Sequence, residues 1–156
     1  MTLETKRNLT EETIEKLQTL IRYNLDAYEG FKACAEEVED TRLAELFHDL
    51  AEQRLRNASV LQTYVKWNGT DAENDGSIGG AVHRTWTKVR EVLSGNDTDA
   101  ILAEAERGED YIKEAYEDVL KDHSGSAMND VILNQYEAVK AAHDKIQHLR
   151  DCCKDD

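Results

Sequence analysis

Four polar residues sit where the helical periodicity of this chain calls for apolar ones. At 100° per residue, Asn24, Arg54, Glu109 and Gln135 each fall at or near the centre of an apolar stripe. A buried ion without a partner costs several kcal/mol, a large share of a domain's net stability. Arg54 and Glu109 can neutralise each other through a bidentate pair. The two amides can fill the remaining hydrogen bonds, with Tyr28 and Asn57 at nearly the same level. The spacing therefore predicts a polar core layer that needs no metal.

The same positions also raise a metal reading. Di-metal sites in helical bundles take a Glu from each of two helices and a Glu-x-x-His pair from each of the other two. Here the candidate ligands are Glu29, Glu106, Glu109 and His143, for Fe, Mn or Zn. Glu109 points inward, whereas the other three lie on the flanks of their stripes. Lys140 stands three residues before His143, where the motif needs Glu, and Leu55 stands three after Glu52, where it needs His. A guanidinium from Arg54 at the centre would repel a cation. No nucleophile with an adjacent base and no glycine-rich phosphate loop occurs. His48, His123 and His148 read as solvated surface residues, and His83 as a neighbour of a packing residue, Trp86.

These residues need long helices to position them. Apolar stripes stepping by three and four run through roughly 11–37, 41–67, 97–121 and 126–151. Leu9 and Thr10 open the first as a staple and N-cap, with Ile14 as the staple's partner. Asp40 or Thr41 caps the second, Gly69 stops it, and Asn96 or Asp97 caps the third. Gly108 lies on the core stripe of the third, where a missing side chain allows close approach. Short turns make each pair an antiparallel hairpin, but the connector from 69 to 96 is long. A helix of about 25 residues spans roughly 38 Å, a distance this connector can cover. Within it, 79–94 reads as a short crossover helix with Val82, Trp86, Val89 and Leu93 on one face. Two hairpins joined by one long crossover define the ferritin-like bundle, expected as one all-α domain over 1–156.

Composition narrows the partners. The chain has no proline, in keeping with uninterrupted helices. Its 33 acidic and 19 basic residues give a net charge of −14. That disfavours nucleic acid and anionic membranes as partners, and it suits a soluble protein or one that attracts cations. No apolar run is long enough to span a membrane, and the first ten residues lack the apolar stretch of a signal peptide. Cys34, Cys152 and Cys153 form no disulfide framework, so a reducing cytoplasm is expected. The two tail cysteines are of a type that can bind a soft metal or oxidise.

Five stretches carry a family resemblance: Glu29–Phe31 (EGF), Ala51–Arg54 (AEQR), His83–Trp86 (HRTW), Glu106–Asp110 (ERGED) and Ala142–Asp144 (AHD). Together they resemble an uncharacterised bacterial family of ferritin-like four-helix-bundle domains, and the likeness covers nearly the whole chain. It implies a ferritin-like fold and a metal-binding or stress-related setting, without an established reaction. It places the family's commonest polar positions at Glu52, Arg54, Glu106, Glu109, Gln135 and His143. Two functional readings follow. In the first, the protein is a non-catalytic or accessory dimer acting through partners. In the second, it is a metal-binding protein or oxidoreductase using Glu106, Glu109 and His143. A binding module that recruits a basic protein through its acidic surface is a third.

Overall fold

The computed structural model describes residues 4–74, 98–122 and 125–154, with the backbone alone for 153 and 154. Four long helices account for most of them: α1 (Glu11–Glu37), α2 (Thr41–Trp67), α3 (Thr98–Asp122) and α4 (Asn129–Lys154). The expected crossover helix at 79–94 and the N-cap at 96 or 97 lie outside the described residues.

Local sequence sets the helix ends. The Thr10 hydroxyl accepts from the Thr13 amide and caps α1. Val38 takes an extended conformation and stops α1, its amide still donating to Cys34 O. The Asp40 carboxylate accepts from the Arg42 and Leu43 amides and caps α2 two residues later. Gly69, at φ 76°, supplies the left-handed residue that ends α2. α4 starts at Asn129, later than its apolar stripe suggests. Ser126 holds residues 126–129 in a turn: its hydroxyl accepts from the Met128 amide and its carbonyl from the Asn129 amide.

α1 packs on α2, α3 packs on α4, and α1 also packs on α3. The core is built from the expected stripes, with Leu17, Ile21, Phe47, Leu61, Ile112 and Ile146 all at most 1% exposed. Phe31 and Phe47 stack across the first hairpin, ring centroids 6.0 Å apart. No helix among the described residues is long and apolar enough to cross a membrane.

Contacts at the chain's beginning fix the helix directions. The Leu9 amide donates to Asn68 at the end of α2, and Lys6 pairs with Asp130 at the start of α4. The starts of α1 and α4 and the end of α2 thus share one end of the bundle. Since α3 and α4 form an antiparallel hairpin, α3 begins at the other end. The end of α2 and the start of α3 are separated by the length of the bundle.

Candidate functional site

Arg54 and Glu109 lie at mid-height with no solvent exposure at all. Arg54 Nε donates to Glu109 Oε1 at 3.2 Å, and Nη2 donates to Oε2 at 2.6 Å. This is the fork-to-fork arrangement that only a planar guanidinium offers a carboxylate. Nη1 donates to the Gln53 side chain at 2.9 Å, and the guanidinium lies 5.9 Å from the Phe31 ring centroid. Burial pushes the Glu109 carboxyl upward, and the Arg54 charge and its hydrogen bonds oppose that rise. Protonating Glu109 would leave the Arg54 guanidinium without its counter-charge in a dry core.

A second polar group, neutral, sits beside the pair. Asn24 Nδ2 donates to Leu20 O and to Tyr116 Oη, both at 2.8 Å. Tyr116 Oη donates to Gln135 Oε1 at 2.7 Å, and Gln135 Nε2 donates to the Asn57 carbonyl at 3.3 Å. All four helices therefore meet in one hydrogen-bonded chain. Burial raises the Tyr116 hydroxyl's pKa, so it stays a neutral donor and acceptor. The amides of Asn24 and Gln135 meet each other through Tyr116 and do not bond to the ion pair. Gln53 fills the position at Arg54 that the sequence assigned to them. At mid-height the described residues thus form two polar groups: a charged pair between α2 and α3, and a neutral relay spanning all four helices.

The candidate metal ligands are held apart in other pairings. Glu106 Oε2 accepts from Arg150 Nη1 at 2.9 Å. His143 Nε2 lies 2.5 Å from Asp110 Oδ1, and its Nδ1 lies 3.2 Å from Asp144 Oδ1. Glu29 is exposed. One Glu-x-x-His does occur, Glu45 to His48, but both residues are on the exposed face of α2, away from the core. Among the described residues, no three or more His, Cys, Asp or Glu side chains are grouped to hold a metal ion. A metal at Glu109 would also have to displace or neighbour a guanidinium. The donor set does not fit a di-metal centre.

The family described as a domain of unknown function (DUF2383) matches residues 12–122. The chain belongs to that family. A comparison with curated proteins yields no match. The DUF2383 match spans Asn24, Arg54, Glu109 and Tyr116, whereas Gln135 and His143 lie beyond it. Within this DUF2383 chain, periodicity alone missed Gln53, Tyr116 and Asp110. Tyr116 carried a usable signal, since a tyrosine on a core stripe needs a partner for its hydroxyl.

Periodicity also missed a polar cluster at the end of the bundle. Glu4 precedes every helix, yet its carboxylate accepts four hydrogen bonds. The Thr10 amide (3.0 Å) and the Thr13 hydroxyl (2.7 Å) donate from the N-cap and first turn of α1. The Ser126 hydroxyl (3.0 Å) and the Ala127 amide (2.9 Å) donate from the turn before α4. Partial burial would raise its pKa, but these four donors prevail and hold it at about 2. Nearby, Asn68 donates to the carbonyls of Lys6 and Tyr64, and Arg7 lies 5.0 Å from the Trp67 ring centroid. Two helix N-termini thus converge on a single carboxylate.

Proposed function

We propose that this domain is a non-catalytic, ferritin-like bundle whose centre holds an ion pair where related architectures carry a di-metal carboxylate site. The observation that carries this reading is the fully buried bidentate pair of Arg54 and Glu109. A guanidinium there supplies the positive charge that a metal would supply, and it satisfies the fully buried carboxylate of Glu109. The ferritin-like assignment is supported by the opposite placement of the end of α2 and the start of α3, which calls for a long crossover. Such a protein works through surfaces rather than through its core. An accessory, stress-related role as a cytoplasmic dimer, or with a basic protein drawn to the −14 charge, fits this reading.

The test is the thermal midpoint of metal-stripped protein with and without excess Fe(II), Mn(II) or Zn(II), alongside elemental analysis. A ligand at a hundred times its dissociation constant adds about 2.7 kcal/mol, enough to move the midpoint by several degrees. The expected result is no shift that depends on Glu109. Stoichiometric metal with a shift abolished by Glu109→Gln would overturn the proposal. It would favour a metal-binding protein or oxidoreductase built on Glu106, Glu109 and His143.

A further inference from the structure

Two of the described reactive side chains, Cys34 and His143, are already committed. Cys34 is fully buried, and burial pushes its thiol up to about 12, so it is a poor nucleophile or ligand. His143 is engaged by Asp110 and Asp144. The last turns of α4, at the end of the bundle remote from Glu4, are different. His148 and Cys152 are four residues apart, so they share one face of the helix. Both are exposed, and Cys152 Sγ lies 3.6 Å from His148 Nε2.

We propose that His148 and Cys152 form a two-donor site for a borderline-soft divalent cation such as Zn2+, completed by the same pair from a second copy of the chain. The gap between the two donors matches that around a bound ion. Zinc binds thiolate sulfur at about 2.3 Å and imidazole nitrogen at about 2.0–2.1 Å, so tetrahedral geometry places S and N about 3.5–3.6 Å apart. The helix already holds the two donors at that separation. Sulfur with imidazole selects zinc-like ions over Mg2+ or Ca2+, which take oxygen. On binding, the Cys152 thiol loses its proton to the buffer, and the neutral imidazole offers the Nε2 lone pair. The net charge of −14 raises the cation concentration around the protein.

The second copy follows from the ligand count. A closed tetrahedral shell takes four protein donors, and the described residues of one chain supply two here. Among the described residues no third His, Cys, Asp or Glu joins them in a metal-sized group. A two-fold axis through the ion doubles the pair to two sulfurs and two nitrogens. This site is independent of the Arg54–Glu109 core and survives or fails separately from it.

The experiment titrates the metal-free, full-length chain with Zn2+ under a phosphine reductant, and with Co2+ as a spectroscopic probe. The variants are Cys152→Ser, His148→Ala and, as a control, Cys153→Ser. The expected result is one ion bound per two chains, and a thiolate-to-cobalt charge-transfer band whose intensity per cobalt corresponds to two sulfurs. Cys152→Ser should abolish the band, His148→Ala should abolish retention of the ion through desalting, and Cys153→Ser should leave both intact. One ion per chain with a single thiolate would overturn the shared site. Binding that persists in Cys152→Ser and His148→Ala, binding lost in Cys153→Ser, or no retained metal at all would overturn the assignment.

Discussion

At mid-height, Glu109 is sealed from solvent and faces a single guanidinium. At the bundle end, Glu4 stays partly solvated and takes four hydrogen bonds from two helix beginnings. Burial dominates the first carboxyl and raises its pKa, whereas hydrogen bonds dominate the second and lower it to about 2. The difference shows what each contact contributes. A desolvated ion pair gains little net stability over an apolar core of the same shape, but losing one partner is costly. What it contributes is a demand for one helix register, because only one places the fork on the carboxylate. The end clasp works the other way: each hydrogen bond is modest and local, and its stabilisation depends on pH.

The largest expected effect comes from breaking the core pair on one side. Arg54→Met leaves a buried Glu109 without its counter-charge and should cost about 3–5 kcal/mol in urea unfolding. The neutral relay should be less sensitive. Tyr116→Phe keeps the ring but leaves the Asn24 amide and the Gln135 carbonyl without the shared hydroxyl, a loss of about 1–3 kcal/mol by the same measurement.

The clasp should show itself in acid. The folded value of Glu4, about 2, lies below its ordinary 4.5. Its stabilisation is therefore complete above pH 4.5 and is lost as pH falls towards 2. Urea midpoints of the wild type and Glu4→Gln should differ near pH 6 and converge near pH 2. A gap that stays constant down to pH 2 would contradict the clasp. The smallest effect belongs to Lys6 and Asp130, a 3.0 Å pair with side chains 38% and 68% exposed. Lys6→Ala should cost about 0.2–1 kcal/mol, shrinking further in high salt.

The two regions also differ in how far the sequence exposes them. The helices, their hairpin pairing and the caps at Thr10, Asp40 and Gly69 depend on local spacing, so the sequence carries them directly. Arg54 and Glu109 stand out because each interrupts an apolar stripe, and a 3.6-residue period is enough to point both inward. Gln53 does not stand out, because its bond to Arg54 depends on where the long guanidinium ends rather than on which face Gln53 occupies. Tyr116 hides among the apolar residues, and its role depends on the register of α3 against α1 and α4. Glu4 was out of reach: its donors lie 6 to 123 residues away and meet only once three chain segments share one end. Local periodicity exposes what a helix buries, but not which buried groups find each other.

Arg54 and Glu109 stabilise the core only as a pair. The most direct test is a double-mutant cycle in urea with Arg54→Met, Glu109→Gln and both together, each in metal-free buffer. Glu109→Gln alone leaves the guanidinium buried without its counter-charge, so both single variants should lose stability. The double variant, with neither charge, should recover most of that loss and give a large coupling energy. A double variant no more stable than Arg54→Met alone would contradict the claim, because Glu109 would then carry no penalty when its partner is gone.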